Sequence, residues 1–70
     1  MRLQPLEEKR RAIIDAIKAA GVRGLSLKEV AEKARVQPIT AKKHLMRLVK
    51  EGAMEEARYG YLRVFRMRRA

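Results

Sequence analysis

Apolar residues recur along the first two thirds of the chain at helical spacing, and then the rhythm changes. Leu6, Ile13, Ile17 and Ala20 share one stripe of a 3.6-residue period, which predicts a first helix over about 5–20. Pro5 suits its first position, Glu7 and Glu8 suit the positive end of its dipole, and Gly21 follows where it can end. Ile14 lies on the flank of the stripe, open to the core or to a subunit contact. Val22 to Leu25, with Gly24 inside, reads as a brief extended piece. Ser26 and Glu29 then have the spacing of a capping box, in which each residue's side chain bonds the other's backbone N–H. They predict a second helix over about 27–34, with Leu27, Val30, Ala31 and Ala34 on its apolar face. Arg35-Val36-Gln37 makes a tight connection, and Pro38 opens a third helix running to Glu51.

The third helix has two unlike sides. Ala41, Leu45 and Leu48 face inward, with Val49 on the edge. Ile39, Lys43, Met46, Arg47 and Lys50 lie opposite, Lys42 on one flank, Thr40 and His44 on the other. Gly52 is placed for the left-handed residue that closes a helix. Beyond it, Ala53 to Arg58 and Tyr61 to Met67 are short runs around Tyr59-Gly60, the second rich in β-formers. A two-residue connection containing glycine predicts a hairpin over about 53–67, followed by a basic tail at 68–70. The fold class expected is α+β, mostly helical: a three-helix bundle with a C-terminal β-hairpin, in one domain over 1–70.

Charge narrows the chemistry. The chain has 70 residues, 18 of them Lys or Arg, and a net charge of +10. Such a surplus repels itself until a polyanion neutralises it, and it fits a phosphate-binding surface. There is no cysteine and a single histidine, which excludes disulfides and a Cys/His zinc site. The core must rest on aliphatic packing, and at this length it is thin. No apolar run is long enough for a membrane span or a signal peptide, so a cytoplasmic, nucleoid-associated protein is expected. The lack of Asn and Cys beside many charges matches a thermophile-like composition.

The order helix, short extended piece, helix, tight turn, helix, hairpin resembles a winged helix-turn-helix. Leu27 to Ala34 looks like the supporting helix of that family, Val36 to Leu45 like its turn and recognition helix, and Leu48 to Met54 like the entry to its wing. The likeness is closest to the ArsR and MarR types of regulator. It implies that the second helix crosses the DNA backbone and the third enters the major groove. The sequence departs from those regulators at Arg35, where such turns often carry Gly or Asn, and in having no counterpart of their additional helices for dimerisation and effector binding.

The candidate nucleic-acid contacts follow. Lys42, Lys43, Arg47 and Lys50 offer phosphate contacts, with Lys43 or Arg47 reaching guanine edges. Ile39, Thr40 and Met46 share their side, where Ile39 and Met46 can meet thymine methyls, while Gln37 and Thr40 stand where a helix start can hold phosphate. Arg58, Tyr59, Tyr61 and Arg63 surround the hairpin tip, where an arginine can enter a minor groove. Glu55 and Glu56 are expected on a side facing away from phosphate, and Glu7 is expected to pair with Arg11 one turn on. His44 fits a packed helix flank better than a ligand.

An enzyme is not expected. Ser26 and Thr40 are the only non-phenolic hydroxyls and have structural positions, and no glycine-rich phosphate loop occurs. The partner expected is double-stranded DNA, with a homodimer through the first helix as an option, no membrane and no cofactor. RNA binding, as in a ribosomal winged helix, and a protein-interaction adaptor remain open as other classes.

Overall fold

A computed structural model describes residues 6–68, and side chains from residue 8 to residue 68. Pro5 as a helix start, the Glu7–Arg11 pair, Leu6 in the core stripe and the tail residues Arg69 and Ala70 lie outside what it describes. The elements in chain order are α1 (Leu6–Ala20), a 3-10 turn (Gly21–Arg23), β1 (Leu25–Ser26), α2 (Leu27–Ala34), α3 (Pro38–Glu51), β2 (Met54–Tyr59) and β3 (Leu62–Met67). The strands form one antiparallel sheet in the order β1-β3-β2.

The helix ends are set by local chemistry. Both halves of the capping box are made: the Ser26 hydroxyl accepts from the Glu29 N–H, and the Glu29 carboxylate accepts from the Ser26 N–H at 2.9 Å. Those bonds, the backbone one first, hold the Glu29 carboxyl below its ordinary pKa. Gln37 caps α3 without a side-chain bond, its carbonyl accepting from the Ala41 N–H at 2.9 Å. At the far end Gly52 takes φ 87°, and the Ala53 N–H reaches back to the Leu48 carbonyl at 3.0 Å. The end of α2 uses the same device with Arg35, at φ 60° and ψ 45°, and the Val36 N–H bonds the Ala31 carbonyl at 3.0 Å. Arg35 is the one non-glycine residue with positive φ among those described. A left-handed L-residue costs roughly 1–2 kcal/mol, so the turn before α3 carries strain.

Two expectations about connections change. The stretch 22–25 is not a single extended piece: residues 21–23 coil into a 3-10 turn, and only Leu25 and Ser26 pair with β3. Gly24 lies so close to β3 that a Cβ there would meet the Phe65 carbonyl oxygen at 2.7 Å, which leaves glycine as the residue that fits. In the hairpin, Tyr59 pairs with Leu62, so the two-residue loop is Gly60-Tyr61 rather than Tyr59-Gly60. Gly60 has φ 68° while Tyr61 does not enter positive φ, the pattern of a type II′ turn that suits strand twist.

The core joins all three helices to the sheet. Ile13 and Ile17 from α1, Val30 and Ala31 from α2, and Ala41, Leu45 and Leu48 from α3 meet Leu25, Met54 and Phe65. Ile14 is half-buried and packs against the edge of this cluster. With its inward side so used, α3 turns its basic side to solvent.

Candidate nucleic-acid interface

The outward side of α3 is continuous and free of acids. Lys42, Lys43, Arg47 and Lys50 are exposed, and none pairs with a carboxylate among the described residues. Ile39 and Met46 stand among them, 64% and 50% exposed. Thr40 is half-buried, and Gln37 is exposed at the start of the helix. The structure therefore gathers all eight α3 candidates on or beside one surface, with alkyl and cationic groups interleaved.

The acid nearest that surface is turned off it. Glu51, in the last turn of α3, takes two hydrogen bonds from the Arg10 guanidinium of α1, the shorter at 2.6 Å. The bond lowers the Glu51 pKa and raises that of Arg10. The Arg10–Glu51 pair spans 41 positions, and no local pattern signals it.

His44 is buried at 9% exposure beside this clasp. Burial pushes its pKa below the ordinary value, and the charges of Arg10, Arg47 and Lys9 push the same way. Both effects favour the neutral imidazole, as suits a packing residue. Lys9 of α1 thus lies near His44, toward the edge of α3.

On the hairpin the expected cation cluster is only partly free. Glu56 does not face away from it. The register opposes Glu56 with Phe65 and Arg58 with Arg63, which puts Glu56, Arg58 and Arg63 on one face. The Glu56 carboxylate lies 3.1 Å from Arg63 Nε and 3.8 Å from Arg58 Nε. Arg63 is half-buried, its guanidinium 5.9 Å from the Phe65 ring centre, whereas Arg58 is exposed. Glu55 points to the other face and pairs with Arg66 at 2.6 Å, which also donates to the Val22 carbonyl. The bond to Glu55 raises the Arg66 pKa. Tyr61 projects freely at the tip, whereas Tyr59, 56% exposed, lies near the Arg66 guanidinium.

No protein-family model matches the chain, and neither does any curated protein. Solved structures do resemble it. The PcaV transcriptional regulator from Streptomyces coelicolor, solved with its natural ligand, has a TM-score of 0.74 at 22% identity over 84% of this chain and 43% of that one. Human N-acetylserotonin methyltransferase, solved with SAM, has a TM-score of 0.71 at 15% identity over 90% of this chain and 19% of that one. This chain spans less than half of either. The likeness establishes the fold as a winged helix. One neighbour is a regulator and the other an enzyme, so the fold alone does not choose a function. Among the described residues, no helix is long and apolar enough to cross a membrane.

Proposed function

We propose that this winged helix is a non-enzymatic DNA-binding domain of a transcriptional regulator of the ArsR or MarR type, acting in the cytoplasm on the nucleoid as a single folded unit. The observation that carries this is the acid-free outward face of α3, with Lys42, Lys43, Arg47 and Lys50 exposed and unneutralised. In this reading α3 enters the major groove, its four cations meet phosphates and guanine edges, and Ile39, Thr40 and Met46 meet thymine methyls. Gln37 lies at the helix start beside a phosphate. The hairpin flanks the groove, offering Arg58, Tyr59, Tyr61 and Arg63. The likeness to PcaV supports a regulator.

A homodimer through α1 belongs to the proposal. Its outward face carries Glu8, Arg11, Asp15 and Lys18, all exposed and alternating in sign. Antiparallel pairing of two copies would oppose Glu8 with Lys18 and Arg11 with Asp15, and twofold symmetry would imply a palindromic site. Sedimentation equilibrium tests this: a monomer at every concentration removes the dimer and leaves an asymmetric site.

The DNA reading is tested by binding a labelled random-sequence duplex in competition with structured RNA. Preference for the duplex, weakened by Lys43→Ala and by Arg47→Ala, is expected. RNA winning the competition overturns it in favour of a surface suited to A-form RNA, whose narrow major groove excludes α3. Binding to neither leaves the adaptor class.

A further inference from the structure

The tip of the hairpin clusters three exposed large hydrophobic side chains on a strongly basic chain. Tyr61 is 103% exposed, Tyr59 56% and Leu62 50%. Two cross-strand pairs, Arg58–Arg63 and Tyr59–Leu62, extend past Val64, the last buried residue of the hairpin, so the loop stands roughly 10 Å clear of the core. Positive φ at Gly60 places Tyr61 at the outer corner of the turn. Of the arginines that would lead into a groove, Arg63 is half-buried on Glu56, and Arg58, though exposed, stands one residue behind Tyr59 with its Nε 3.8 Å from the same carboxylate. What the hairpin presents first is therefore an aromatic ring, not a cation.

We propose that Tyr61 stacks on an unstacked base of the bound duplex, so that the wing selects sites with a weakened base step; this rests on the DNA-binding reading above. An aromatic ring stacks on any base because every base offers a π-face, and it gains most where the base is already free of its neighbours. Wedge side chains of this kind act at the steps that cost least to open, which are mismatches and flexible pyrimidine–purine steps. Tyr59 and Leu62, cross-strand partners just behind the tip, line a shallow groove beside the start of α2 together with Arg23 and Lys28. Those two cations stand where the phosphates flanking an opened step would pass. Glu29 also borders the groove, but its carboxylate is held by the Ser26 N–H. Free arginines at the tip would read minor-groove width instead. Arg63 is held on Glu56 and Arg58 shares that carboxylate behind the tip, which separates the two modes.

The chain supplies its own reporter. It has no tryptophan and two tyrosines, Tyr59 and Tyr61, so intrinsic tyrosine emission comes from the wing alone. The whole chain is titrated with two duplexes of about 20 base pairs, one fully paired and one with a single central mismatch. Anisotropy of a label on the DNA gives affinity, and corrected tyrosine emission gives stacking. The mismatched duplex is expected to bind roughly tenfold tighter, with tyrosine emission quenched on binding. Tyr61→Ala is expected to lose the preference and Tyr61→Phe to keep it. At full exposure the Tyr61 side chain contributes nothing to the core, so both variants fold. If both duplexes bind with unquenched tyrosines, or if Tyr61→Ala keeps the preference, the stacking inference is overturned while the DNA-binding reading stands. If neither duplex binds, both fall. Tighter binding to single-stranded RNA than to the mismatched duplex overturns the assignment of DNA as the partner.

Discussion

Removing Lys42 and Lys50 together should flatten the salt dependence of DNA binding by a calculable amount. Both are exposed on α3 and unpaired, so their loss leaves the core and the ion pairs intact. Binding releases counterions, and log K falls with log salt at a slope of about −0.9 for each phosphate neutralised. The α3 face supplies four cations, Lys42, Lys43, Arg47 and Lys50, while Arg58 and Arg63 share Glu56 and together count for less than two. Taking about five phosphates gives a slope near −4.5, or roughly a 500-fold loss of affinity between 50 and 200 mM salt. The Lys42→Ala/Lys50→Ala variant should show a slope near −2.7 and only about a 40-fold loss over that range. Fluorescence anisotropy of a labelled duplex over a salt series measures both. Lys33→Glu is the control: it lowers the net charge by the same two units, in the cleft between α1 and α2. If the control flattens the slope as much as the α3 variant, net charge rather than this face drives binding. A parent slope shallower than about −2 would refute the reasoning outright.

The turn before α3 and the buried histidine give two further expectations. Arg35→Gly should stabilise the fold by about 0.5–1 kcal/mol, because relief of the left-handed backbone exceeds the entropy cost of glycine; a melting temperature at or below the parent's would contradict this. His44 has its pKa lowered in the folded state, so the unfolded chain binds more protons as pH falls below about 6.5. Stability should therefore be full above that pH and decline as pH drops toward the folded pKa. Urea midpoints at pH 7.5 and pH 5 should differ, and His44→Gln should shrink the difference. Glu29 and Glu51, with lowered pKa values, lose their contribution only in the more acidic range below about 4.5, which keeps the two effects apart.

Much of the framework was legible because its signals are local. Ser26 and Glu29 sit three apart, Pro38 opens a helix it cannot interrupt, and Gly52 closes it; each acts within one turn of chain. The two-sided character of α3 was legible for the same reason, since a period of 3.6 assigns faces before any neighbour is known. What sequence reasoning missed depends on register and on distant partners. The hairpin loop moved by one residue, which took Tyr59 into a strand and put Tyr61 at the tip. Alternation correctly sends Glu55 and Glu56 to opposite faces. It cannot say which face holds the arginines until β2 and β3 are paired, and that pairing set Glu56 among the wing cations. The Arg10–Glu51 clasp is a tertiary contact with no local spacing to announce it.

The placement of acids then explains why a surplus of charge becomes a surface rather than a diffuse field. Three of the carboxylates, Glu51, Glu55 and Glu56, each hold an arginine of the framework: Arg10 between α1 and α3, Arg66 on one face of the hairpin, Arg63 on the other. Exposed pairs of this kind contribute little to stability. Their effect is on where charge is left over. Each neutralises a cation away from the outward side of α3, and Glu51, the acid closest to that side, is pulled toward α1. The lysines of α3 keep their full charge, beside Ile39 and Met46, on the one helix whose ends are fixed by Pro38 and Gly52. A Glu56→Gln substitution inverts the logic on the wing. It frees Arg58 and Arg63 without touching α3, so affinity for duplex DNA should rise and the salt slope should steepen toward one further phosphate. An unchanged slope in the same salt series would mean that the wing arginines never approach the backbone, leaving the tip tyrosines as the wing's contact.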